Sequence, residues 1–254
     1  MAPYKVYILK YARREATSSE LILGDTQHIK TELVYYMWVI TNGEHTVALD
    51  MGFTEDTCKK RKRQWLRDPT ALMDDVRIDP ASIEHVIISH MHWDHVGNYA
   101  LYPRARFYLQ EKEVAFWTGR QAKRKFFNRS IEVEDVAALM RFNMEGRLGI
   151  VNGTREIVPG IRVHGVGGGH TAGIQIVEVE TASGPAVLAA DAAHLYRNLK
   201  EQVPFTTLHD VPVYMDGFEL MRGLVHDEGR ILPGHDGEVM RRFKNLTDHV
   251  AVMD

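Results

Sequence analysis

Apolar and polar positions change period several times along the chain, and each change marks an element. VYYMWVITNGEHTVALDMG (34–52) holds two apolar runs around Asn42-Gly43, a strong signal for two strands and a hairpin turn. In DPASIEHVIISH, Asp79 suits an N-cap and Pro80 the first helical position, and the segment then runs into the strand VIIS. ARFYLQ (105–110) predicts another short strand. From Glu111 to Met144 helical spacing replaces alternation, so a helical insert is predicted at about 111–147. Strand patterning returns at 156 with EIVPGIRVHGV, then IQIVEVET, a Ser-Gly turn and PAVLAAD. The tail, from about 216, predicts a helix (DGFELMRGLV), a strand-like RILPG and a final helix.

Strand-rich stretches followed by helices therefore occur twice, on either side of the insert. There is no solenoid repeat and no low-complexity linker. Two β-rich halves joined without a hydrophilic linker predict two sheets packed face to face with helices outside, in a single domain over residues 1–254.

Composition adds few constraints. A hydrophobic content of 44% over 254 residues suffices for a sizeable core, and 26% charged residues is an ordinary surface. The net charge of -3 gives no global pull toward nucleic acid or anionic membrane, so neither is expected as a partner. The local exception is KKRKR (59–63), which reads as a solvated helical face or, alternatively, a phosphate-binding patch. Cys58 is the only cysteine, which excludes an intrachain disulfide and predicts an incidental thiol. No signal-peptide pattern and no run of ~20 apolar residues is present, so a cytoplasmic enzyme is the expectation.

Chemistry concentrates at strand ends. SHMHWDHVGN (89–98) places His90, His92, Asp94 and His95 within six positions, directly after an apolar run. Three imidazoles so close repel one another when protonated, whereas neutral imidazoles with a carboxylate suit zinc or another borderline divalent ion. GVGGGHTAG (165–173) delivers His170 after a glycine run, where the backbone can turn tightly. VLAADAAH (187–194) ends an apolar strand on Asp191, a carboxylate costly to bury unless paired or metal-bound. ILPGHDG (231–237) brings His235 after a Pro-Gly turn. Five histidines and two aspartates are enough for two metals sharing one carboxylate.

The order HxHxDH, His, Asp, His resembles the metallo-β-lactamase superfamily over essentially the whole chain. HWDH, GHTAG and DAAH…PGHD look most like its N-acyl homoserine lactonase group. The resemblance implies a four-layer αββα sandwich with the site at the sheet edges. It implies His90, His92 and His170 on one divalent ion, Asp94, His95 and His235 on the other, and Asp191 as the bridge. The metal would be zinc, with manganese, iron or cobalt as alternatives. Asp50, in ALDMG, looks like the family aspartate that orients a ligand.

The reaction this implies is hydrolysis of a small lactone or ester by a hydroxide held between the metals, most simply opening of a γ-lactone ring. Thioester, phosphoester or aryl-ester hydrolysis is the alternative on the same scaffold. Asp94 is expected to shuttle a proton as well as bind metal. Lactonases of this group carry tyrosine three residues after the bridging aspartate, where this chain has His194; imidazole there would donate to the substrate carbonyl or act as an acid. Trp93 is expected beside the substrate. Phe116, Trp117, Phe126, Phe127, Met140, Phe142 and Met144 offer an apolar surface for an acyl group, or equally the packing of the insert. ATSSELILGD (16–25) reads as a loop at the mouth or as a homodimer contact.

Overall fold

The computed structural model describes residues 2–254. Along the chain the first seven strands are β1 (Lys5–Thr17), β2 (Lys30–Thr41), β3 (Thr46–Leu49), β4 (Gln64–Trp65), β5 (His85–Ile87), β6 (Arg106–Gln110) and β7 (Leu148–Val151). Then follow β8 (Thr154–Val158), β9 (Ile161–Gly165), β10 (Gln175–Thr181), β11 (Gly184–Ala190), β12 (Ile231–Pro233), β13 (Lys244–Thr247) and β14 (Val250–Met253). One sheet has the order β13-β14-β1-β2-β3-β5-β6-β7, with β4 attached to β1; the other runs β12-β11-β10-β9-β8.

The layers follow from the two faces of each strand. In β2, Tyr36, Trp38 and Ile40 join Val163, Val177, Val179 and Leu188 of the second sheet in one apolar cluster. The alternate residues Tyr35, Met37 and Val39 pack outward with Leu72, Met73, Leu139 and Phe142 from helices. The outer face of the second sheet, with Ile176, Val187 and Ala189, is covered by Tyr214, Phe218 and Met221 of the helix Val211–Leu224. A strand buried on both faces reads as a continuous apolar run, which is why LVYYMWVI is uninterrupted. The result is helix, sheet, sheet, helix, the αββα sandwich expected from the sequence.

Several details differ from the sequence reading. The Asn42-Gly43 turn is a four-residue loop, since Thr41 pairs with Thr46; the Asn42 side chain accepts from the amides of Glu44 and His45. The residues around Pro80 form only a 3₁₀ turn, capped by Asp79. The final helix is short (Glu238–Arg242), and the chain ends instead in the β13–β14 hairpin, with β14 pairing to β1. The insert comprises helices Glu111–Thr118, Lys125–Asn128 and Val133–Met144. Among the described residues no helix is long and apolar enough to cross a membrane.

KKRKR is not a uniform solvated face. Lys59 and Lys60 close the helix Glu55–Lys60, but Arg61 lies beyond it. Its guanidinium bonds to the Glu132 carboxylate and to the carbonyls of Arg129 and Ile131. The run therefore clamps the insert onto the sandwich.

Candidate metal centre

Four strand ends meet at one edge of the sandwich. The segment after β5 carries His90, His92, Asp94 and His95; the β9–β10 connection carries His170; β11 leads into Asp191; β12 leads into His235. Two groups stand out: His90, His92, His170 and Asp191, and Asp94, His95 and His235, each with ligand atoms within 4.8 Å of one another. Asp191 lies between them. Its Oδ2 is 3.1 Å from His170 Nε2 and 3.6 Å from His90 Nε2, while its Oδ1 is 2.9 Å from His235 Nε2 and 3.3 Å from His95 Nε2.

The backbone bends sharply to make this convergence. Ala190, just before Asp191, has φ 44, a left-handed conformation costly for a residue with a Cβ. Gly234 lies against it: a Cβ there would sit 2.6 Å from the Ala190 carbonyl oxygen. The Pro-Gly turn thus lets His235 reach the end of the neighbouring strand. In the glycine run, Gly167 has φ +78, and a Cβ on Gly169 would meet Tyr214 Cα at 2.7 Å. That stretch needs both a left-handed turn and a close approach of the covering helix.

Hydrogen bonding fixes which nitrogen each ring presents. The Nδ1 of His170 is 2.7 Å from the Thr207 carbonyl, that of His235 2.7 Å from the Val34 carbonyl, and that of His95 2.7 Å from Asp50 Oδ2. These partners only accept, so each Nδ1 carries the proton and each Nε2 presents its lone pair inward. Ser89 gives its hydroxyl proton to Asp50 and accepts from His90 Nδ1 at 3.0 Å, so His90 presents Nε2 too. Both His90 Nε2 and His95 Nε2 are buried with no hydrogen-bond partner. His92 Nδ1 lies 3.0 Å from His170 Nε2, a pairing of nitrogens that needs a cation or a proton between them. Buried lone pairs converging around a carboxylate are what a divalent ion takes, and the donor set fits one.

Electrostatics divide the set: His90 and His92 are held neutral, whereas His95 and His235 are held toward the protonated form, whose Nε2 proton a bound ion would replace. Burial, with repulsion from neighbouring histidines, pushes His90 and His92 well below the usual imidazole range, so they are neutral ligands at neutral pH. Burial also works against His95, but the carboxylates of Asp50, Asp191 and Asp94 outweigh it and hold its pKa high. Asp191 is opposed by burial, yet His194, His235, His95 and His170 keep its carboxyl well below the usual range.

Asp50 occupies a left-handed position (φ 58), which aspartate tolerates better than most residues. Its Oδ1 accepts the Ser89 amide at 2.7 Å. One carboxylate thus holds the segment carrying His90 and orients the His95 ring.

His194 is buried, its ring stacked on Phe205 with centroids 3.5 Å apart. Its Nε2 is 3.0 Å from Asp191 Oδ2 and its Nδ1 3.4 Å from the Tyr214 hydroxyl. Burial pushes its pKa down to about 3, against the pull of Asp191. The residue is therefore a neutral ring already engaged with the central carboxylate.

Two recesses adjoin the cluster. A cleft of about 150 Å³ is lined by Trp93, Asp94, Tyr35, His194, Phe205, Arg14 and Arg63, among others. A second, aromatic recess beside His92 and His170 is lined by Phe116, Trp117, Phe126 and Phe127. Met140 and Phe142, expected at the pocket, do not line either recess. Phe142 stacks on Phe107 in the core (centroids 4.4 Å apart), Met140 packs against the same core, and Met144 is exposed. The 16–25 segment packs near the mouth, where the Leu23 amide bonds to the Pro204 carbonyl and Asp25 pairs with Arg197.

Glu113 escaped the sequence reading. Fully buried, it accepts from the Met91 amide (3.0 Å), the Trp117 indole (2.7 Å) and the Gly173 amide (2.8 Å). It ties the segment carrying His90 and His92 to the loop carrying His170. The only signal was a carboxylate in the first turn of a helix, which looks like ordinary helix-terminus charge.

With the fold and the strand-end geometry in hand, comparison with known proteins places the chain by class. The pattern of the metallo-beta-lactamase superfamily matches residues 31–235, so the chain belongs to that superfamily. Among individual proteins, it is 26% identical over 181 residues to the N-acyl homoserine lactonase AiiA of Bacillus thuringiensis subsp. kurstaki. That match covers 70% of this chain and 66% of the relative, so it spans just under two thirds of the relative's length. The N-acyl homoserine lactonase AttM of Azorhizobium caulinodans is 22% identical over 96% of this chain and 97% of its own. The crystal structure of a quorum-quenching N-acyl homoserine lactone lactonase superposes with a TM-score of 0.80 at 20% identity, covering 98% of this chain and 99% of that one.

Proposed function

We propose that the protein is a dinuclear metal-dependent hydrolase that opens a lactone ring, an N-acyl homoserine lactone being the first class to test. The observation that carries this reading is the set of inward-facing imidazole lone pairs around Asp191, two of them buried without a partner. The similarity to lactonases supports the choice of lactone over other esters. His90, His92, His170 and Asp191 would hold one ion and Asp94, His95, His235 and Asp191 the other, zinc being the first candidate for this donor set. Two divalent ions there would supply the charge that lowers the pKa of an attacking water and polarises the substrate carbonyl.

The chain's own residues do the rest. Asp50, Thr207 and Val34 hold the imidazoles in one tautomer, so no ring has to turn during the reaction. Asp94, at 11% side-chain exposure, faces the cleft and is placed to pass a proton to the departing alkoxide. His194, locked by Phe205, gives its one Nε2–H to Asp191 Oδ2, so as a neutral ring at the cleft it orients the central carboxylate rather than donating to the carbonyl oxygen. Trp93 forms one wall, and Phe116, Phe126 and Phe127 receive the acyl portion.

The test is a metal-analysed preparation assayed by acid release against acyl homoserine lactones, aryl esters and phosphodiesters. Lactones should be the fastest class, and Asp191→Ala should lose bound metal and turnover together. Full turnover by a metal-free Asp191→Ala protein would overturn the assignment.

A further inference from the structure

The basic run contributes more to the site than the clamp made by Arg61. Arg63 reaches the cleft wall, where its guanidinium lies 5.4 Å from the centroid of the Trp93 ring. Its Nη1 is held by the Arg61 carbonyl at 2.7 Å, but its Nε is buried and has no hydrogen-bond partner. Among the described residues no carboxylate forms an ion pair with it. Arg14 reaches the same cleft from β1, paired with Glu20 at 2.9 Å. Tyr35 stands near both. Burial raises its hydroxyl pKa and Asp94 adds to the rise, while the charges of Arg63 and Arg14 pull it back.

A guanidinium kept partly out of water without an anionic partner is costly. Retaining one on the wall of a reaction cleft is explained if the ligand brings the anion. Among the described residues the only cleft carboxylates, Asp94 and Asp191, belong to the candidate metal groups, and two divalent ions would more than offset them. The loaded cleft is then positive on both sides. Its volume, about 150 Å³, is below the ~300–1,000 Å³ of pockets for drug-sized ligands, so the part of the substrate that this cleft holds is small.

From Arg63 and Arg14 on the wall of the metal-site cleft, we infer that the substrate carries a carboxylate beside its hydrolysable lactone or ester bond. The planar fork of arginine matches a carboxylate, and Trp93 beneath Arg63 holds the fork in place. This inference rests on the hydrolase reading for its chemistry and narrows its substrate, since an acyl homoserine lactone bears no carboxylate and would be a poorer substrate than a lactone that does. The anion site can be measured without turnover.

Two matched pairs test it on the metal-loaded enzyme. The first is 5-oxotetrahydrofuran-2-carboxylate against the corresponding carboxamide, lactones that differ by one charge. The carboxylate should have a kcat/KM higher by about tenfold or more, chiefly through KM, and the ratio should collapse toward one in Arg63→Gln and in Arg14→Gln. Equal values for both lactones in the unaltered enzyme would overturn the inference while leaving the hydrolase reading intact. The second pair, glutarate against glutaramate, is measured by calorimetry. Glutarate should bind about tenfold tighter, and Arg63→Gln should remove the difference. Equal affinities would sink the anion site whatever the turnover. A retained preference with no hydrolysis of any lactone or ester would instead sink the hydrolase reading alone. Because the two arginines stand on separate elements, misfolding of one variant leaves the other to report.

Discussion

Asp50 shows how much one side chain can fix. It sits in a left-handed conformation and accepts hydrogen bonds from the Ser89 amide, the Ser89 hydroxyl and His95 Nδ1. Asparagine tolerates the same backbone, so Asp50→Asn separates the conformation from the charge. Its amide group would face either the Ser89 hydroxyl and the His95 ring or the Ser89 amide, a donor against a donor in each orientation. The variant should fold but bind metal about 10–100-fold more weakly, read by competition with a chromophoric chelator. An unchanged affinity would remove Asp50 from the support of the centre. Asp50 was legible because it follows an apolar strand and matches a family motif. Glu113 was not, because its three partners come from the Met91 amide, Trp117 and Gly173, which only the folded chain brings together. Glu113→Ala should cost about 3–5 kcal/mol in urea unfolding, since it leaves buried donors unpaired. A loss below about 1 kcal/mol would mean that those donors find other partners.

At the level of elements, strands with continuous or alternating apolar runs were readable, and so was the helical spacing of 111–144. The longest strand was not. β1 runs from Lys5 to Thr17, yet KVYILKYARREAT carries five charges, because its distal part, around Arg13–Glu15, is exposed or half-buried and forms ion pairs with Glu20 and Glu32. β13 is likewise fully exposed and polar, so alternation gave it no signal, and β14 needs β1 as a partner to exist as a strand. The pocket residues divide for a related reason. Helical spacing marks an apolar face but not what covers it, and Phe142 met Phe107 while Phe116 and Phe127 met the recess. The insert is held by the Arg61–Glu132 pair, whose side chains are 21% and 17% exposed. Glu132→Ala should loosen the helices over the aromatic recess, giving faster amide exchange in 125–144 than in the sheets. Unchanged exchange there would show that apolar packing alone holds the insert.

Across the whole molecule, the seven candidate ligands are contributed by both sheets. Four follow β5 in the first, and the other three follow strands of the second. Bound ions would therefore stabilise the packing of one sheet on the other, and removing them would leave a buried cluster of imidazoles and carboxylates. At a free metal concentration about 1,000 times Kd the stabilisation is about 4 kcal/mol. For a chain of this size that is roughly 8–16 °C in melting temperature. Calorimetric scans with and without chelator should show a shift of this order; coincident transitions would mean that the ions bind without bracing the fold. A centre stitched from two sheets also behaves as a rivet. The inward Nε2 atoms of His90 and His95 are buried, and the cleft lined by His92, Asp94, His170, Asp191 and His235 is the route by which an ion would reach or leave them. When the sheets part, the ligands of both groups would scatter at once, so any ion still bound would be lost in the same step as the fold.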